Sequence, residues 1–230
     1  TSAEPKQLSA TALQSRSKTM TSYTPTLALR TDGVWFKDEA GRHCLLRGVN
    51  LAASAKLPVR PNGASHVGGP SFLTGHREVS FVGRPFPLVE AEEHCSRLVS
   101  WGFTLVRFLI TWEAIEHAGP GRYDREYIDY IVQVLECMKV HGIRCFIDPH
   151  QDVWSRFSGG DGAPGWIFEL MGMDMTKFNV TGATYTHQER VNDYPDMIWP
   201  TNGYKYAAST MFTLFFAGDR FAPLTKIDGV

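Results

Sequence analysis

Between Leu88 and Asp148 the chain switches twice from helical spacing to an unbroken apolar run. In "LVEAEEHCSRLVSWG", Leu88, Ala91, Cys95 and Leu98 recur at three- and four-residue intervals, which predicts an amphipathic helix, and Gly102 supplies a left-handed stop. "TLVRFLI" (residues 104–110) follows at once and is continuously apolar except for Arg107, the pattern of a strand covered on both faces. A second helix starts at the cap Asp124 and carries Ile128, Ile131, Val134, Leu135 and Met138 to Gly142. It leads straight into another strand, "RCFIDPH". A third helix, Tyr204 to Ala217, is apolar nearly all round, which predicts deep packing. Upstream, "GVWFKDEAGRHCLLRGVNL" reads as two β-like runs around a turn at Asp38–Gly41, with Leu45 to Leu51 as the first core strand. Residues 1–30, rich in Ser, Thr, Lys and Gln, form a loosely ordered lead-in to a single domain over 31–230.

Strands alternating with helices predict an α/β fold with a parallel sheet. The connections add a direction to it. Helix-to-strand links are about two residues long, whereas strand-to-helix links run to roughly 36, 13 and 50, far above the usual few. Long strand-to-helix loops gathered on one face are the signature of a (β/α) barrel, whose active site is built at the C-terminal ends of the strands.

Composition narrows the function classes. The 230 residues are 43% hydrophobic and 12% aromatic, enough for a sizeable core. The formal net charge of -1 argues against a nucleic-acid partner. Cys44, Cys95, Cys137 and Cys145 lack CxxC spacing, which favours free thiols over a disulfide framework or a zinc site. No run approaches the ~20 apolar residues of a membrane span. Residues 1–30 show no signal-peptide core, so an intracellular location, cytoplasm or vacuole, is expected. The sequon Asn179-Val180-Thr181 points weakly the other way.

The densest chemistry follows the third strand, in "DPHQDVWSRFSGG". His150 at a strand end is either a satisfied core histidine or a functional one, and its neighbours Gln151 and Asp152 bring the two readings level. Arg107 inside an apolar strand requires a carboxylate partner. The His-x-Asp pair has no further ligand at recognisable spacing, so no metal is expected. Ser155 lacks the G-x-S-x-G setting of a nucleophile elbow, and "GGDG" at 159–162 reads as a turn.

The stretches "LLRGVNLAASAKLP", "LVRFLITWEAIE", "FIDPHQDVWSRFSGGDGAPGW" and "STMFTLFFAGDRFAP" together resemble glycoside hydrolase family 5, in its fungal branch of steryl-β-glucosidases and glucosylceramide-cleaving relatives. The resemblance implies the N-terminal part of a (β/α)8 TIM barrel and retaining hydrolysis of a lipid β-glucoside, a steryl glucoside such as ergosteryl glucoside first and glucosylceramide next. It makes Arg107 a support for the nucleophile, and Lys56, His150 and Asp152 contacts to the glucose hydroxyls. Trp166 and Trp199 match less well, as floors of the sugar or lipid site or as core. No cofactor is implied; the partners are the lipid glucoside, the C-terminal remainder of the enzyme and a peripheral membrane contact. The family's catalytic glutamates, one in an Asn-Glu-Pro element, are not matched: no Asn-Glu pair occurs, and Glu113, Glu116 and Glu169 lie after the second and third strands. They are expected downstream of Val230, leaving this stretch inactive alone. The loop residues Phe72, Phe81, Phe86, Trp154, Phe157, Trp166, Phe168, Met171, Met173 and Met175 fit either an apolar aglycone cleft or packing of the loops. An endoglycoceramidase, or a non-catalytic carbohydrate- or lipid-binding module, are the alternatives.

Overall fold

Two compact units divide the chain, one up to Leu45 and one from Leu46 onward, in a computed structural model that describes residues 28–61, 70–187 and 195–221. All but the last three residues of the expected lead-in over 1–30 therefore lie outside the described residues. In the first unit, β1 (Arg30–Asp32), β2 (Trp35–Lys37) and β3 (His43–Cys44) form an antiparallel meander. The turn expected at Asp38–Gly41 joins β2 to β3. Asp38 closes it: its carbonyl accepts from Gly41 N at 2.9 Å and its carboxylate from Arg42 N at 2.9 Å. Leu45, expected to open the first core strand, is instead exposed and belongs to this unit.

The second unit is built on β4 (Gly48–Leu51), β5 (Leu105–Thr111) and β6 (Arg144–His150), all parallel in the order β4-β5-β6. These are three consecutive strands of a (β/α) barrel. Alternation along β5 sends Val106, Phe108 and Ile110 into a layer of helices. There they meet Ala91, Cys95 and Leu98 of the helix Ala91–Ser100, and Tyr127, Tyr130, Ile131, Val134 and Met138 of the helix Arg125–Val140. Asp124 caps the latter as expected, accepting from Tyr127 N at 2.9 Å. Gly102 takes a φ of +81°, the left-handed stop the sequence required. Leu88 falls short of the core and is 38% exposed, because the first turn there is a 3-10 turn rather than α-helix.

The described parts of the long loops carry short helices. The α-helices, taken in chain order, are α1 (Pro70–Thr74), α2 (Ala91–Ser100), α3 (Trp112–Glu116), α4 (Arg125–Val140), α5 (Trp166–Leu170), α6 (Phe178–Thr181), α7 (Trp199–Asn202) and α8 (Tyr206–Phe221). α1, α3 and α5–α7 are turns of helix inside the strand-to-helix connections, too short to show a periodicity. Around α5, α6 and α8 a second core forms from Val153, Trp154, Phe157, Phe168, Met175, Phe178, Ala207, Ala208 and Met211. α8 is buried on one face only: Phe215 is 58% and Phe216 77% exposed. The apolar-all-round pattern thus predicted deeper packing than the described residues supply. Asn179 of the sequon is buried on α6, which does not present it for modification.

Candidate functional site

Parallel pairing places Leu109 beside Asp148 and Thr111 beside His150, so Arg107, Asp148 and His150 share the sheet face opposite the helix layer. Arg107 has the partner its position demanded: its guanidinium lies 2.7 Å from Asp148 Oδ2 and 3.2 Å from His150 Nδ1. His150 stands between carboxylates, with Nδ1 2.8 Å from Asp148 Oδ2 and Nε2 3.1 Å from Asp152 Oδ2. Polar partners on both sides of the ring set it apart from an apolar core residue.

Lys56 ends the 3-10 turn that follows β4 and reaches across to the loop after β6. Its ammonium pairs with Asp152 and lies 3.4 Å from Asp161 Oδ2. Burial works against the charges of Lys56 and Asp152, but their mutual hydrogen bond, helped by Asp161 and His150, prevails. The lysine pKa is raised and that of Asp152 held below the usual carboxylate range. Asp161 differs. It is 4% exposed, and burial, reinforced by Asp152, pushes its pKa up to about 6 against the pull of Lys56 and His150.

A sharp reversal after β6 brings these groups together. Val153 and Trp154 take φ of +51° and +75°, an unusual conformation for side chains of their bulk. The chain returns so that Asp152 and Asp161 exchange two backbone hydrogen bonds, of 3.0 and 2.9 Å. Gly160 makes this approach feasible, since a Cβ there would lie 1.7 Å from the Asp152 carbonyl oxygen. The other polar residues of the stretch hold the loop. Gln151 accepts from Trp154 N at 3.1 Å, and the hydroxyls of Ser155 and Ser158 donate to the carbonyls of Ala163 and Val153, each at 2.6 Å. Arg156 is buried against Glu113, its Nε 2.8 and 3.0 Å from the two carboxylate oxygens.

The site thus joins Lys56, Arg107, His150 and Asp152, as the sequence suggested, and adds Asp148 and Asp161. Trp166 does not join it: the indole is 3% exposed and donates to the Glu116 carbonyl at 2.7 Å, edge-on to Trp112. Trp199 lies half exposed at the start of α7. Of the aromatic and methionine residues of the loops, Phe81, Phe86, Trp154, Phe157, Trp166, Phe168 and Met175 are buried in the packing of the loops, whereas Phe72, Met171 and Met173 are only partly buried. Glu113 is paired with Arg156, Glu116 accepts from the Trp112 indole, and Glu169 binds His76 and Arg77. None of the three faces the cluster.

His150, Asp152 and Asp161 bring one ligand atom each within 4.8 Å of one another. The Lys56 ammonium already supplies the positive charge between the two aspartates. A cluster of hydrogen-bonding groups of both signs at the C-terminal ends of the strands suits a neutral polyhydroxylated ligand, each hydroxyl of which both donates and accepts.

The sequence model for Cellulase (glycosyl hydrolase family 5) matches residues 68–211. The chain belongs to glycosyl hydrolase family 5. Over 198 residues, 85% of this chain, it is 56% identical to a protein of Rhizopus delemar named glucosylceramidase. Over 84% of its length it is 42% identical to ergosteryl-beta-glucosidase of Saccharomyces cerevisiae. Among solved structures, Cryptococcus neoformans sterylglucosidase 1 with tris aligns over 85% of the chain with a TM-score of 0.77 and 43% identity. The chain spans 29%, 28% and 28% of these three proteins, respectively.

Asp148 and Asp161 were the residues sequence reasoning missed. Asp148 was visible as the one carboxylate inside the third strand, at a depth that could answer Arg107. Asp161, between glycines, read only as part of a turn; the turn is real, and its side chain points back to Asp152.

Proposed function

We propose that this chain is the sugar-holding part of a retaining β-glucosidase acting on lipid glucosides, with steryl β-glucosides such as ergosteryl glucoside as the first substrate class and glucosylceramide next. The observation that carries the reading is the convergence of Lys56, His150 and Asp152 at the strand ends, supported by relatives whose names state a glucosylceramide or ergosteryl glucoside substrate. An apolar cleft of about 400 Å³, lined by Trp154, Leu170, Met171, Leu214, Phe215 and Phe216, supports an apolar aglycone. Its wall Trp154 is two residues beyond Asp152.

In this reading Lys56, His150 and Asp152 bind the glucose hydroxyls and strengthen those bonds as the oxocarbenium ion develops. Arg107, held by Asp148, supports the nucleophile. The two bond-breaking carboxyl groups, about 5–5.5 Å apart in a retaining enzyme, come from later strands of the barrel. The test is to incubate the full-length polypeptide with ergosteryl β-glucoside, glucosylceramide and lactosylceramide and to identify the released sugar. Glucose from the first two supports the proposal. Intact lactose from the third would establish an endoglycoceramidase, and binding without release would establish a binding module.

A further inference from the structure

Asp161 is a buried carboxylate at the back of the cluster. It is buried in a site that already holds two other aspartates, and its Oδ1 has no hydrogen-bond partner among the described residues. A buried carboxylate oxygen left unmatched costs stability, so its retention calls for a reason. Its surroundings are specific. Oδ2 lies 3.4 Å from Lys56 Nζ and Oδ1 3.7 Å from His150 Nε2. Its backbone is doubly hydrogen-bonded to that of Asp152, and residues opposed in such a bridge send their side chains to the same side. The charged groups facing it are Lys56 from the turn after β4, His150 from β6 and Asp152 from its own loop.

We propose that Asp161 is a positioning residue for the glucose site, holding the Lys56 ammonium in place from behind while Asp152 meets the sugar. The inference rests on the reading of the cluster as the glucose site. Geometry separates the two aspartates. Asp152 is a quarter exposed at its side chain, Asp161 only 5%, so a ligand reaches the first and not the second. Lys56 bonded to Asp152 alone would be free to swing with it; a second carboxylate fixes the ammonium between them. The arrangement also makes the site sensitive to acid. The Asp161 pKa is pushed up to about 6, well above that of an ordinary aspartate, and its hold on Lys56 weakens as pH falls through that value.

The experiment compares the full-length wild type with Asp161→Asn on a neutral aryl β-glucoside from pH 5 to 8. At pH 7.5 the variant should raise KM on the order of tenfold while kcat stays within about twofold, the loss expected for a charged contact that serves binding. In the wild type KM should climb as pH falls through 6; in the variant that climb should vanish. A purely structural role would alter expression or melting without removing the pH-dependent limb. An Asp161→Asn variant with wild-type KM and an unchanged acid limb would overturn this inference and leave the proposed activity standing. If the variant fails to fold, a wild-type KM that is flat from pH 5 to 7 overturns it equally. A wild type that hydrolyses no β-glucoside overturns the proposed activity, and this inference with it.

Discussion

Replacing Asp152 by Ala in the full-length polypeptide removes one side chain and strips two others of a partner. Lys56 loses its closest carboxylate and keeps only Asp161 at 3.4 Å, and His150 Nε2 loses the oxygen 3.1 Å away. A hydrogen bond to a charged group is worth about 1.5–3 kcal/mol when its loss leaves the partner unmatched. Asp152 is partly open to water, which lowers that figure, but the sugar contact is lost as well, and it strengthens in the transition state. The expected loss in kcat/KM on an aryl β-glucoside is therefore about 2–4 kcal/mol, or roughly 30- to 900-fold. Stability should fall by only about 0–1 kcal/mol, because both side chains of the pair are a quarter exposed and water screens it. Steady-state kinetics with a parallel thermal melt separates the two. Unchanged kinetics would refute the assignment of Asp152 to the sugar. A melt lowered in proportion to the activity would show that its role is structural.

Glu113→Gln leaves the Arg156 guanidinium buried without a counter-charge and should cost about 3–5 kcal/mol of stability in chemical denaturation; a loss below about 1 kcal/mol would show that the stacking of Arg156 on Phe72 and Phe157 alone suffices. For Asp161 the folded-state pKa, about 6, lies above its ordinary 3.8, so the folded state binds this proton more tightly and its contribution to stability is lost as pH rises from about 4 to 6. Asp161→Asn should accordingly melt higher than the wild type at pH 7.5, with the gap closing by pH 4; equal melting at both values would contradict the burial argument. The 230-residue chain expressed alone, with Phe146 and Ile147 on the outer strand and Phe215 and Phe216 on α8 all at least 45% exposed, should self-associate in size-exclusion chromatography. A monomeric peak would show those faces to be covered.

The barrel order was legible because α4 carries a clear helical period and β5 a continuous apolar run, bounded by Gly102, Asp124 and Gly142. The site was legible in part because His150 ends a strand with Asp152 just beyond it, and because Arg107 interrupts an apolar run. What was not legible depended on long-range approach. Asp161 meets Asp152 only through the reversal at Val153 and Trp154, and no local propensity favours positive φ at either residue. The exposed side of α8 misled for a different reason: hydrophobicity marks a surface to be covered without saying by what. Trp166 read as a candidate platform because an aromatic residue on a barrel loop serves equally as ligand contact and as core, and the Glu116 carbonyl that takes its N–H lies 50 residues away.

The central claim is that glucose is held by Lys56, His150 and Asp152 at the strand ends. A crystal structure of the full-length polypeptide with bound glucose tests it most directly. The account predicts sugar hydroxyls within hydrogen-bonding distance of the Lys56 ammonium, His150 Nε2 and the Asp152 carboxylate, with Asp161 behind them and out of contact. Glucose bound elsewhere, with the Lys56–Asp152 pair untouched, would contradict it.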